Sequence, residues 1–297
     1  MCQRNMLILT YSDYEAPARA LAQALAAPLA LVSVHRFPDG ECKLQLPAPC
    51  PDTVVICRSL DNPDAKLIEL LLTARTARTL GAKHLVLVAP YLCYMRQDIA
   101  FTPGESVSQR VVGNFLADLF DTVISVDPHL HRVHEFKDAV PAKHAIALSA
   151  APLMGQFLRT QLKDALLLGP DEESVQWVKS VAEHADLDFA VARKTRSGDR
   201  RVAIQLPDIS VRGRDVVLVD DMISTGHTVA QTARLLKDAG TRHIYCAVTH
   251  ALHTREAAQL LQDAGIETLW CSDSIVHTCS VIRLAPTLAK AISEIRF

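Results

Sequence analysis

Apolar residues fall along this chain in short, nearly continuous blocks, not at every second position. Met6-Leu7-Ile8-Leu9-Thr10 is the first, and Val-, Ile- and Leu-rich runs recur at 54–57, 84–89, 123–126, 165–168, 216–219 and 244–248. Blocks of this length and character predict strands buried on both faces. Helix-length segments lie between them, at 65–80, 108–119, 174–184, 228–239 and 255–264. The alternation predicts an α/β protein with mainly parallel sheets flanked by helices.

A weak internal repeat divides the pattern in two. Thr73-Ala74-Arg75, followed by Gly81-Ala82-Lys83-His84, is echoed 159 positions later by Thr232-Ala233-Arg234 and Gly240-Thr241-Arg242-His243. In both copies a helix ends at a Gly, the residue suited to a left-handed C-terminal cap, and a basic residue leads into a strand. Any chain of alternating strands and helices can produce one such match by chance. With both halves reading alike, two similar α/β domains are expected, at 1–145 and 146–297, with the boundary in the 141–149 region.

Composition narrows the class. An apolar fraction of 49% and a charged fraction of 22% are those of a folded globular chain. The net charge of −2 gives no basic excess that would announce a nucleic-acid or membrane partner. The run at 6–10 is too short for a signal segment, and no apolar run reaches membrane-spanning length. Eight cysteines occur without a C-x-x-C spacing, several inside apolar runs, so reduced thiols and a cytoplasmic setting are expected.

The most informative segment is Val216-Val217-Leu218-Val219-Asp220-Asp221-Met222-Ile223-Ser224-Thr225-Gly226-His227-Thr228. A buried strand leads to two adjacent carboxylates at its C-terminal end, where ligands of open α/β sheets bind. Hydroxyls and a Gly then open a helix. A phosphate monoester needs several N–H and O–H donors converging on one point, and a tight turn at a helix N-terminus supplies them. The dipole alone contributes about 0.3–1 kcal/mol, so Ser224, Thr225 and Thr228 must add direct hydrogen bonds. Gly226 lets the backbone approach closely. Asp220 and Asp221 would repel phosphate and so suit sugar hydroxyls or a metal. Ser and Thr here could also be plain helix caps. No G-x-x-x-x-G-K-[ST] sequence occurs, which excludes a Walker loop.

This segment resembles the ribose-phosphate-binding motif of the type I phosphoribosyltransferases. His227 stands where many relatives have Gly, and a positive φ there would be strained. Over nearly its whole length the chain is similar to the ribose-phosphate pyrophosphokinase family, through five further motifs in order. Arg36-Phe37-Pro38-Asp39-Gly40-Glu41 resembles the family's adenine-binding hairpin, although its residues alone fit a simple turn. Tyr94-Met95-Arg96-Gln97-Asp98 resembles the R-Q-D stretch that contacts ATP, a role for which Arg suits triphosphate. Val126-Asp127-Pro128-His129 carries a His at the position that helps hold Mg2+-ATP, while His131, His134 and His144 read as exposed polar residues. Leu168-Gly169-Pro170-Asp171 resembles a second metal position. Arg193-Lys194-Thr195-Arg196 resembles the mobile catalytic flap; as a bare basic run it would be a solvated loop.

The resemblance implies transfer of the β,γ-diphosphoryl group of ATP to the C1 hydroxyl of ribose 5-phosphate. Lys194 and Arg196 would be catalytic. Arg196, Asp220, Asp221, Ser224, Thr225, Gly226, His227 and Thr228 would bind ribose 5-phosphate. Phe37, Asp39, Glu41, Arg96, Gln97 and His129 would bind ATP, and His129 and Asp171 would hold Mg2+. A homo-oligomer with an ATP site shared between subunits is also implied. Glu172-Glu173-Ser174 replace the small, Gly-rich residues of bacterial and animal members, and Trp177 and Lys179 look closer to the archaeal type. A single-substrate phosphoribosyltransferase, a non-catalytic regulatory relative and a ligand-sensing transcription regulator are the competing readings. Arg96-Gln97 and the paired halves weigh against the first. Intact Lys194, Arg196, His129 and Asp171 weigh against the second, and the lack of a basic helix-turn-helix against the third.

Overall fold

The computed structural model describes residues 5–130, 132–133, 135–197 and 201–296, with backbone alone at 194–197 and 201–203. His131 and His134 therefore lie outside the described residues, as do the side chains of Lys194 and Arg196.

The chain forms two compact units. The first contains β1 (Met6–Thr10), α1 (Glu15–Leu25), β2 (Leu29–Leu31), β3 (Ser33–Arg36), β4 (Cys42–Gln45), β5 (Thr53–Cys57), α2 (Pro63–Thr79), β6 (His84–Val88), α3 (Ser108–Leu119), β7 (Thr122–Val126), α4 (Phe136–Ala139) and β8 (His144–Leu148). Its six-stranded sheet runs β2-β1-β5-β6-β7-β8, parallel throughout, and β3 and β4 form a separate antiparallel hairpin. Every residue of β1, β5 and β7 is buried, because helices cover both faces of the sheet.

The second unit repeats this plan. It contains α5 (Ala151–Gln161), β9 (Ala165–Gly169), α6 (Val175–Ala185), β10 (Asp188–Val191), β11 (Arg193–Ser197), β12 (Arg201–Gln205), β13 (Asp215–Ile223), α7 (His227–Asp238), β14 (His243–Ala251), α8 (Arg255–Asp263), β15 (Thr268–Ser272) and β16 (Ser280–Ile282). The sheet order is β10-β9-β13-β14-β15-β16, again all parallel, with β11 and β12 as the outlying hairpin. Strand for strand this matches the first unit: β13 takes the place of β5, and the hairpin β11–β12 that of β3–β4. The repeated Thr-Ala-Arg and Gly-x-basic-His sequences lie on α2 and β6 in one unit and on α7 and β14 in the other. The sequence repeat is thus a repeat of fold.

The C-terminal segment departs from the expected division at 145/146. α9 (Ala285–Glu294) belongs to the first unit, which comprises Met1–Leu148 and Leu284–Phe297, and the second unit is Ser149–Arg283. The reason is one of covering. In the second unit α5, which precedes the first strand, packs on α6 and β16. Among the described residues of the first unit no helix precedes β1, and α9 packs on α1 and β8. Its buried side chains Leu288, Ala289 and Ile292 supply the missing apolar cover.

Candidate active site

In the second unit the parallel register aligns two strand ends. Leu218 of β13 pairs with Leu168 of β9, so Asp171 and the pair Asp220-Asp221 emerge at the same edge of the sheet. β13 is longer than the expected 216–219: it continues in register with β14 as far as Ile223, opposite Ala251. The two carboxylates therefore sit within the last turns of the strand ladder and are held by it. Asp221 is buried and Asp220 half-buried, with the Asp221 N–H donating to Asp220 Oδ1 at 2.9 Å. The Asp220 carboxyl is pushed well above the usual range, first by burial and then by the negative charges of Asp221 and Asp171. Three carboxyl groups, those of Asp171, Asp220 and Asp221, thus come together at this strand edge.

The loop that follows takes its shape from Gly226. Gly226 adopts a left-handed conformation (φ 73°, ψ 0°), caps α7 and accepts the Ala230 N–H at 2.8 Å. His227 is the first helical residue, one earlier than expected, and it does not carry the positive φ. Its replacement of Gly consequently brings no backbone strain. Thr225 and His227 are exposed and Ser224 and Thr228 half-buried, around the N-terminus of α7. Ser224, Thr225 and His227 line a cleft of about 450 Å3 with Leu252, Thr254, Glu256, Ala257 and Leu260. The α8 residues of this wall are missing from the sequence-based site, although Thr254, whose hydroxyl caps α8 by accepting the Ala257 N–H, was marked by its position before a helix.

Asp171 is fixed by a short turn. Its carboxylate accepts the Glu173 N–H at 3.1 Å, and its carbonyl accepts the Ser174 hydroxyl at 2.6 Å. A Cβ on Gly169 would fall 2.3 Å from Ser174 Oγ, so Gly is required where β9 meets this turn. Glu172 and Glu173 are exposed and leave the turn intact. On the β11–β12 hairpin, Lys194 lies opposite Ile204 and Arg196 opposite Val202 in the backbone register.

The residues expected to bind ATP all lie in the first unit. Phe37, Asp39 and Glu41 occupy the exposed tip of β3–β4, closed by the Phe37 N–H to Glu41 and by Gly40 at φ 95°. Phe37 is 41% exposed, and its ring packs edge-to-face with His35 (centroids 4.8 Å apart). A buried ion network anchors this hairpin: Glu69 accepts from both Arg36 and Arg58, and Arg58 also reaches Asp13 at 3.0 Å and lies 3.8 Å over the Tyr11 ring. In the second unit the equivalent place, after β13, holds the Ser224–Thr228 loop. The hidden Glu69 and Arg58 were not legible, because nothing local in sequence marks a buried charge.

Arg96 is exposed and Gln97 half-buried, with Gln97 Nε2 donating to the Ile99 carbonyl at 3.0 Å. Buried Asp98 takes Arg132 at 2.7 Å as partner. His129 follows β7, half-buried, two residues after Asp127, which is held at φ 39°. His129 and Asp171 thus belong to different units. Among the described residues no group of three or more His, Cys, Asp or Glu side chains is arranged to hold a metal ion, and no helix is long and apolar enough to cross a membrane.

Two parallel α/β units, with acidic residues leading into a Ser/Thr-Gly loop at a helix N-terminus, define the class as type I phosphoribosyltransferase-like. Residues 6–119 match the N-terminal domain of ribose phosphate pyrophosphokinase, and residues 137–275 the phosphoribosyl transferase domain. The ribose-phosphate pyrophosphokinase of Methanopyrus kandleri is 36% identical over 293 residues, covering 98% of this chain and 99% of that one. That of Thermococcus kodakarensis is 32% identical over 259 residues, covering 87% and 91%. The crystal structure of phosphoribosylpyrophosphate synthetase from Mycobacterium smegmatis superposes with a TM-score of 0.84 at 22% identity, over 98% of each chain, and so has the same fold. The chain belongs to the ribose-phosphate pyrophosphokinase family.

Proposed function

We infer that this chain is an enzyme that transfers the β,γ-diphosphoryl group of ATP to the C1 hydroxyl of ribose 5-phosphate. The products are 5-phosphoribosyl 1-diphosphate and AMP, which feed nucleotide synthesis. Family membership supports the reaction, and one observation carries the site: Asp220 and Asp221 lie near the C-terminal end of a buried strand that leads, through left-handed Gly226, to the N-terminus of α7.

In this reading Ser224, Thr225, Gly226, His227 and Thr228 grip the 5-phosphate through hydroxyls, backbone N–H groups and the positive end of α7. Asp220, with Asp221 behind it, accepts from the ribose hydroxyls. Phe37 stacks on adenine while Asp39 and Glu41 accept from its amino group, and Arg96 and Gln97 contact the triphosphate. Lys194 and Arg196 neutralise charge on the transferring group, and Arg196 also contacts the sugar phosphate. Most of the rate then comes from positioning and electrostatics, as is general for phosphoryl transfer.

The Asp220 carboxyl, raised by burial and by the negative charges of Asp221 and Asp171, lies among oxygen ligands of the kind a hard cation prefers. Asp171 and His129 are the residues that would hold Mg2+, with the Asp220-Asp221 pair beside Asp171. When bound, Mg2+ would shield the charge of the diphosphate. His129 donates a hydrogen bond to phosphate in the same role. A homo-oligomer whose ATP site takes its adenine hairpin from a neighbouring subunit completes the reading, as does a cytoplasmic location. A single-chain mass by light scattering in an active preparation would exclude the shared site.

Phosphorus NMR of the protein with Mg2+, ATP and ribose 5-phosphate tests the activity. Matched growth of AMP and of a sugar diphosphate signal is expected. Binding of ribose 5-phosphate without turnover would overturn the catalytic reading and leave a regulatory relative.

A further inference from the structure

Away from the residues assigned to catalysis, two cysteines of the second unit meet at the edge of its sheet. Cys271 is on β15, and Cys279 immediately precedes β16, the last strand of the sheet. The Cys271 N–H donates to the Cys279 carbonyl at 3.0 Å, which brings the two backbones to the spacing a cross-strand disulfide needs. The register shifts between Cys271 and Ser272, as at a β-bulge, and bulges re-aim side chains. Both thiols are free, with their sulfur atoms 2.9 Å apart.

A proton acceptor stands beside them. His277 Nδ1 is 3.0 Å from Cys279 Sγ and also lies 3.3 Å from the Cys279 N–H, which donates to it. Nδ1 is therefore the unprotonated nitrogen, turned toward the thiol. Access is unequal. Cys271 is fully buried, whereas Cys279 is partly exposed and follows exposed Thr278. On the other side the His277 ring meets His253 (centroids 4.4 Å apart), the residue after Leu252 in the wall of the cleft beside Ser224 and Thr225.

We propose that Cys271 and Cys279 form a reversible thiol–disulfide site, with Cys279 as the attacking residue, His277 as its proton acceptor and Cys271 as the resolving residue. The oxidant is a low-molecular-weight disulfide of the glutathione class. Cys279 passes its proton to His277 Nδ1, and its sulfur attacks the small disulfide, forming a mixed disulfide and releasing one small thiolate. Cys271 gives its proton to the released small thiolate, and its sulfur then attacks Cys279 Sγ. The protein S–S bond forms, the mixed bond breaks, and the second small thiolate leaves. Two protein thiols are oxidised and one small disulfide is reduced to two thiols. The hydrogen bond with Cys279, and after it that with Ser280, holds the Cys271 thiol below its ordinary range against burial, while the same contact and burial push the Cys279 thiol up, so Cys279 becomes a nucleophile only as His277 takes its proton. Burial pushes the Cys93 thiol up to about 12 and raises that of Cys246 as well.

The test uses the full chain, reduced and then exposed to oxidised glutathione. Intact mass and a peptide map should show loss of two hydrogens and one linked pair, Cys271–Cys279, fully reversed by dithiothreitol. Cys271→Ser should accumulate a glutathione adduct on Cys279. His277→Ala should reach the same end point roughly tenfold to a hundredfold more slowly, near the lower range for a positioned proton acceptor. Both thiols remaining open to alkylation, or a glutathione adduct persisting on the unsubstituted chain, would overturn the proposal. The map of the unsubstituted chain needs no variant, so misfolding of a substituted one leaves the outcome decisive.

Discussion

Gly226 turns left-handed immediately before His227, so the residue that departs from many relatives is relieved of the turn they share. Alanine at 226 would have to hold φ 73°, at about 1–2 kcal/mol for an L residue. Its Cβ would also press on Leu261 Cδ2 at 3.3 Å. Gly226→Ala is expected to raise KM for ribose 5-phosphate by roughly tenfold, equivalent to about 1.4 kcal/mol, and to lower the urea midpoint. His227→Gly should leave KM within a few-fold. Equal effects from both changes, in steady-state kinetics, would show that the turn is not the controlling element.

In the proposed reaction, substitutions at Lys194 and Asp221 should separate transition-state from ground-state effects. Lys194→Ala should cost about 10²–10³ in kcat, as loss of one preorganised donor typically does, with little change in substrate binding. Asp221→Ala should mainly raise KM for ribose 5-phosphate. Near-normal turnover of the Lys194 variant would remove that side chain from the transfer step, and an unchanged KM in the other would move the sugar contact elsewhere.

Much of this architecture was legible because buried parallel strands are apolar throughout. β1 and α3 coincide with the expected segments, and β5, β6, β7, β9 and α2 differ by a residue or two at an end. β13 and β14 extend further than their apolar runs, since the ladder between them continues past the last aliphatic residue through Asp220, Asp221 and His250. β3 and β4 leave no such trace: they lie outside the sheet, are mostly exposed and carry a mixed pattern. α9 is an ordinary amphipathic helix whose destination depends on what the first unit lacks, which no local signal encodes. At the site, the motif order along the chain pointed to the chemistry. That Asp171 would stand beside Asp220 follows only from the Leu168–Leu218 register.

Glu69 should matter to stability out of proportion to its surroundings. Its side chain is 2% exposed and is shared by Arg58, itself 7% exposed, and by Arg36, which is 51% exposed. Glu69→Leu would leave Arg58 buried with Asp13 as its remaining carboxylate, at a cost on the order of 3 kcal/mol. Arg36→Ala removes the solvent-facing partner and should cost less than about 1 kcal/mol. Urea unfolding of the two variants checks the order. A Glu69 variant as stable as the parent would mean that Arg58 finds compensation from water or from Asp13 alone.

The Asp121 carboxyl should make unfolding depend on acid. Burial works against its charged form, but the Leu85 N–H at 2.7 Å and the Arg78 guanidinium at 2.7 Å outweigh it, so the folded carboxyl lies below its ordinary range. A depressed folded pKa stabilises the folded state where the unfolded carboxyl is also ionised, above about pH 4. That contribution falls as pH drops through the unfolded value toward the folded one. Asp121→Asn keeps an acceptor for Leu85 but cannot ionise, so it should lose stability at pH 7 and show a shallower decline between about pH 5 and pH 3. Because the side chain is 32% exposed and its Arg partner 34%, solvent screening keeps the effect small, and 1 M salt should shrink it further. Thermal midpoints of parent and variant across that range provide the check. Parallel curves would assign the acid sensitivity to other carboxylates.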